Sequence, residues 1–104
     1  MEKATIFLGL NDKDTKTQII TTDNAVILCK SIVLRYFVGA SILSNVQGVF
    51  KHDDGTIVVE NSLAVILYGY SLDKVLQFVE DLKKEFNQES VTLEYCDNAN
   101  INFI

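Results

Sequence analysis

The order of apolar patterns along this chain predicts an α+β fold. The expected arrangement is an antiparallel sheet with two helices on one face, the ferredoxin-like split βαβ. Three observations carry that reading. Two apolar runs meet at Asp54-Gly55, a pair with easy access to positive φ that suits the tight primed turn of a β-hairpin. Two stretches, Val26 to Phe37 and Leu72 to Phe86, repeat apolar residues at helical spacing. Short strand-like segments flank them, so the order reads β-α-β-β-(β)-α-β.

Taken in order, Ala4 to Leu10 is a first strand and Asn11 to Thr17 a polar loop. Thr22 or Asp23 is the expected cap of the first helix, since their side-chain oxygens accept from free N–H groups of a first turn. Val26, Cys29, Val33 and Phe37, with Ile32 and Tyr36 beside them, define its buried face, and Gly39 is placed to end it. Ser41 to His52 is β-rich, with Gly48 marking a bulge or a close approach. Thr56 to Glu60 returns antiparallel, and Ser62 to Tyr70 continues with Leu63 to Leu67 as sheet interior.

Ser71 caps the second helix, with Asp73 at the positive end of its dipole. Leu72, Val75, Leu76, Val79, Leu82 and Phe86 form the expected core stripe, and Glu80 pairs with Lys84 on the wet side. Asn87 stops the helix, and Val91 to Tyr95 is a further strand. Ile101 to Ile104 reads as a short final strand or as an arm reaching a partner.

Length and composition set the class. The 104 residues, 48% hydrophobic and 22% charged with no proline, read as a single α+β domain over 1–104 rather than a disordered or fibrous chain. A net charge of −5 argues against general nucleic-acid binding, which needs a basic surface to neutralise phosphates. Cys29 and Cys96 are far apart in sequence, without the spacing of a zinc site or disulfide scaffold. The short apolar N-terminal run is neither a signal peptide nor a membrane span, so reduced thiols and a cytoplasmic location are expected.

No catalytic constellation, metal-ligand cluster or cofactor motif stands out, so no catalytic residue, metal or cofactor is assigned. Glu60 and the Gln88-Glu89-Ser90 stretch can converge at one sheet edge, where Glu60 and Glu89 would form an acid/base pair. Their alternative roles are structural, on backbone N–H groups and helix-end carbonyls. His52 beside Asp53-Asp54-Gly55 reads as an exposed hairpin tip or, with a carboxylate, as a base or a metal ligand. The expected ligand-binding set is Arg35, Lys30, Tyr36, Phe50, Glu60, Tyr68 and Gln88. Arg35, the only arginine, and Lys30 would hold anionic groups, and the aromatics would stack on a base.

Both alternating sets of strand residues are apolar. Phe7, Val46, Phe50, Val58, Val65 and Leu67 stand against Ile6, Leu8, Val49, Ile57, Val59 and Ile66, so one set would face water in a monomer. A homo-oligomer, a dimer or larger ring closed through the sheet face the helices leave open, is therefore expected.

Several of these residues also recur as motifs. Phe7-Leu8-Gly9-Leu10, Gly48-Val49-Phe50, Asp54-Gly55-Thr56-Ile57, Glu60-Asn61-Ser62 and Phe86-Asn87-Gln88-Glu89-Ser90-Val91 together span nearly the whole chain. In these the chain resembles a family of small bacterial and phage domains of unknown function. It departs from the pattern in carrying Phe50 where Trp is common and in lacking a Pro-Gly turn after the first helix. The resemblance implies the same fold.

The expected function is a non-enzymatic homo-oligomer that binds a small, nucleotide-like ligand between subunits. By analogy, a phage version would sequester a nucleotide-derived host defence signal. The alternatives are a small ferredoxin-like enzyme using Glu60, Glu89 or His52 for proton transfer, and a protein-interaction module.

Overall fold

A computed structural model describes residues 1–104. It comprises β1 (Lys3–Gly9), α1 (Thr22–Tyr36), β2 (Ser41–Lys51), β3 (Ile57–Tyr68), α2 (Leu72–Glu85) and β4 (Thr92–Cys96). The strands form one antiparallel sheet in the order β2-β3-β1-β4, the ferredoxin-like order, with both helices on one face.

The register decides which side chains meet the helices. Ile6 lies opposite Val65 and Leu8 opposite Leu63, and all four are fully buried. They face Ala25, Cys29, Ile32 and Val33 of α1 and Val75, Phe78, Val79 and Leu82 of α2. Each of the larger side chains contributes about 1.5–3 kcal/mol by leaving water. This corrects the two apolar sets read from the strands: Val65 and Leu67 share the core face with Ile6 and Leu8. Phe7 instead lies opposite Ala64, on the other face with Ile66. An antiparallel pair matches even positions of β1 with odd positions of β3, which spacing within either strand does not reveal.

The helices differ from expectation at their ends. Thr21, not Thr22 or Asp23, caps α1: its extended backbone lets the hydroxyl accept from the Asn24 N–H at 3.2 Å, while Asp23 sits in the first turn. Phe37 rather than Gly39 closes that helix. Ser71 caps α2 by accepting from the Lys74 N–H. Phe78 joins the α2 core stripe, whereas Leu72 and Leu76 are partly exposed, 41% and 44%. Glu80 pairs with Lys83 at 3.7 Å, one residue short of the anticipated partner.

The long β2-β3 hairpin projects beyond the helices and elongates the molecule to 45 × 27 × 25 Å. Its tip is a three-residue loop of Asp53, Asp54 and Gly55. The His52 N–H donates to the Thr56 carbonyl and the Gly55 N–H to the His52 carbonyl. Only Gly55 takes positive φ, +88°, so the turn is a bulged loop rather than the two-residue primed turn expected from Asp54-Gly55. The break in the ladder falls between Leu43 and Val46, not at Gly48, where a Cβ would meet nothing nearer than 4.0 Å. Residues 101–104 form no strand; Phe103 packs edge-on against Tyr68 on the open face of the sheet. No helix is long and apolar enough to cross a membrane.

Candidate functional site: a cleft beside the hairpin

The outer half of the hairpin, the loop after β1 and the segment after α2 line a cleft of about 510 Å³. That volume lies within the roughly 300–1,000 Å³ of small-molecule sites. Glu60 of β3 joins the hairpin wall of this cleft to the loop wall. It lies on the open face of the sheet, and its Oε2 accepts from the Asn11 N–H at 2.9 Å. The carboxylate rests directly over Gly9: a Cβ there would come within 2.6 Å of Oε2 and 2.5 Å of Cδ. Glycine at this position is what lets the carboxylate lie flat against β1. No protein donor engages Oε1, so Glu60 keeps acceptor capacity for a ligand.

The loop wall is built by Asp12. Its Oδ2 accepts from the N–H groups of Asp14 and Thr15 at 2.9 and 3.0 Å, and its Oδ1 accepts from the Asn87 side chain at 2.7 Å. The Asn87 bond is the largest cause, with the Thr15 N–H next, of an Asp12 pKa held below the ordinary carboxylate value. Asn87 follows α2 in left-handed conformation, φ 48°. The Gln88 N–H returns to the Lys83 carbonyl and the Asn87 N–H to that of Lys84, which satisfies the helix end. Gln88 then donates its amide to the Asn11 and Phe86 carbonyls at 2.7 and 3.3 Å.

Phe50 and Val58 supply the apolar side of the cleft, with His52 against Phe50 at a ring separation of 6.4 Å. Glu89, Ser90, Lys13 and Lys16 complete the rim. The cleft thus offers an aromatic face, acceptors from Glu60 and Glu89, and two ammonium groups. Such a set suits a heteroaromatic ligand that carries both positive and negative charge.

Of the residues singled out from sequence, the structure brings Phe50, Glu60 and Gln88 into this cleft, together with His52, Glu89 and Ser90. It does not bring Arg35, Lys30, Tyr36 or Tyr68 there. Arg35 lies against α2 carboxylates, at 3.9 Å from Asp81 and 3.6 Å from Glu85. The Tyr36 hydroxyl donates to Asp81 at 2.5 Å, tying α1 to α2. Lys30 is exposed on α1, and Tyr68 lies at the far end of β3 under Phe103.

Comparison with known proteins places this architecture. A family model described as "Protein of unknown function (DUF3574)" matches residues 3–103. The chain belongs to this family. A phage S-adenosylmethionine (SAM) lyase solved in complex with S-methyl-5′-thioadenosine is 32% identical, with a TM-score of 0.67 over 92% of this chain and 80% of that one. The divalent cation tolerance protein CutA1 of Thermus thermophilus is 14% identical, with a TM-score of 0.62 over 98% of this chain and 88% of that one. CutA1 of Ehrlichia chaffeensis is 17% identical, with a TM-score of 0.61 over 96% and 84%. The CutA1 likeness is one of fold alone. A search of curated protein sequences finds no match.

In this DUF3574 member the sequence reading overlooked Gly9, Asn11, Asp12, Lys13, Lys16 and Asn87. Asn11 acts through its backbone, which its side-chain type does not disclose. Gly9 was legible only as part of a motif, because the side chain that requires it lies 51 residues away. The Asp-x-x-Thr spacing from Asp12 to Thr15 was a visible turn signal that a closer reading of the loop would have caught.

Proposed function

We propose that this chain binds SAM in the cleft beside the hairpin and cleaves it to S-methyl-5′-thioadenosine. The observation that carries the reading is the 32% identity, over 92% of the chain, to a phage SAM lyase that holds that nucleoside. The chemistry of the cleft agrees with it. Phe50 offers a face for the adenine, and the free oxygen of Glu60 suits the ribose hydroxyls or the α-ammonium group.

The cleavage breaks the bond between sulfur and the γ carbon, and its electron pair goes to sulfur, leaving a neutral thioether. The γ carbon is satisfied from within the substrate, by its own carboxylate oxygen or by loss of a β proton to a base. A positive sulfonium and a negative carboxylate disappear together in the first course, so excluding water from the bound substrate would favour the transition state over the ground state. For the same reason Glu60 serves best on groups whose charge survives the reaction. A carboxylate placed on the sulfonium would stabilise the ground state more than the transition state.

Val49, Ile57 and Val59 on the projecting hairpin are 67%, 65% and 56% exposed. Burying them against a second copy would form a homo-oligomer, a dimer or larger ring. Binding without turnover, the sequestration of a nucleotide-like signal, is the second reading. It is favoured by the absence of any hydrogen bond from His52 to a nucleophile or carboxylate.

Incubation of the purified protein with SAM, followed by chromatography and mass spectrometry, separates these. Accumulating thioadenosine that is lost in Glu60→Gln supports the lyase. Intact SAM released stoichiometrically on denaturation supports sequestration, and neither product nor bound SAM overturns both. Sedimentation of a stable monomer at micromolar concentration would sink the oligomer.

A further inference from the structure

Only two non-glycine residues adopt positive φ, Asn87 at 48° and Lys16 at 62°, and of the two Lys16 lines the cleft. Asparagine is suited to that conformation. Lysine is not: its Cβ crowds the following carbonyl, and glycine or asparagine would serve the backbone better. The position is enforced by a small hairpin. Asn11 bridges Gln18, the Asp12 N–H donates to the Thr17 carbonyl at 2.8 Å, and the Lys16 N–H returns to the Asp12 carbonyl at 2.8 Å. A strained residue that lines a ligand cleft points to a function for its side chain.

The ammonium group is available. Lys16 is exposed and forms no ion pair within the chain. Asp14 and Asp12, the nearest carboxylates in sequence, both accept from the Asn87 amide, and neither forms an ion pair with Lys16. With Glu60 and Glu89 also on the cleft, a cation at Lys16 gives opposite charges to the site. Such a pairing matches the two charges of an amino-acid group.

We infer that Lys16 is the residue that recognises the α-carboxylate of the ligand, so that the cleft selects an adenosyl group bearing an intact amino acid over the bare thionucleoside. This rests on the proposed SAM reading, in the course where a β proton is lost and the carboxylate keeps its charge, and adds the part of the ligand that the loop after β1 reads. A carboxylate met by an ammonium group at a half-open site is held by a charge-assisted hydrogen bond, and its loss weakens binding by about tenfold.

The test uses two stable ligands that differ in this group. S-adenosylhomocysteine keeps the amino acid and lacks the sulfonium leaving group; S-methyl-5′-thioadenosine lacks the amino acid. Calorimetry is expected to show Lys16→Asn weakening the first about tenfold and the second by less than twofold, with no fall in thermal midpoint because asparagine fits the backbone. Lys16→Arg restores affinity, and Lys13→Asn has the smaller effect. Equal weakening of both ligands, no weakening of either, or an equal effect of Lys13→Asn overturns the assignment. Wild-type protein that binds the thioadenosine but not S-adenosylhomocysteine overturns it while leaving the nucleoside reading intact. Wild-type protein that binds neither overturns both.

Discussion

Replacing Gly9 by alanine isolates the seating of Glu60. The new Cβ would lie 2.5 Å from the Glu60 Cδ and 2.6 Å from Oε2, against an ordinary contact distance of at least 3.4 Å. The carboxylate must therefore withdraw by about 1 Å, which breaks its bond from the Asn11 N–H. Loss of a hydrogen bond to a charged group costs about 1.5–3 kcal/mol. Gly9 does not lie in the left-handed region, so alanine fits the backbone and stiffens the unfolded chain, which offsets about 0.4–1 kcal/mol. The net expectation is destabilisation by about 1–2 kcal/mol, read from urea unfolding. Turnover should fall further, about 100-fold, since a displacement of about 1 Å spoils the alignment of reacting groups. The control is Gly9→Ala in a Glu60→Ala background, where the obstacle is gone and the alanine should be neutral or stabilising. Wild-type turnover in Gly9→Ala, or the same destabilisation with and without Glu60, would refute the reasoning.

Asn87→Ala places a residue poorly suited to positive φ at the end of α2 and is expected to cost about 1–2 kcal/mol in urea unfolding; Asn87→Gly should cost less. The same side chain leads in lowering the Asp12 pKa below 3.8. The folded value lies below the unfolded one, so this stabilisation is present above about pH 4 and is lost as pH falls through the folded value. Asn87→Ala should therefore flatten the acid limb of a stability-against-pH profile, and an unchanged limb counts against the contact. Burial pushes the Cys29 thiol up to about 11, whereas Cys96 is exposed. A thiol reagent at pH 8 should label one cysteine per chain at once and the second only on unfolding; two fast thiols would contradict the packing.

What could be read from the sequence follows the range of the forces involved. The helices, Ser71 as a cap, Asn87 as a stop and the hairpin around residues 53–55 depend on neighbours a few residues apart. Their order then left few sheet topologies open. Glu60 and Gln88 stood out because polar groups at the ends of apolar strands need partners. Arg35, Lys30 and Tyr36 were singled out by residue type alone, and type carries no information about which side of a helix faces which element. In the structure Tyr36 and Arg35 face α2, because α1 packs Cys29 and Ile32 inward and turns the end of its last turn toward Asp81.

By itself, then, the sequence determined the α+β class, the element order and the presence of charged and polar residues at the strand ends. Only the tertiary structure decided which alternate strand residues are core, that Glu60 lies over Gly9, and that Asn87 pins the Asp12 loop from 75 residues away. Hydrophobic periodicity is a property of one segment, whereas register and cleft geometry arise when distant segments pair.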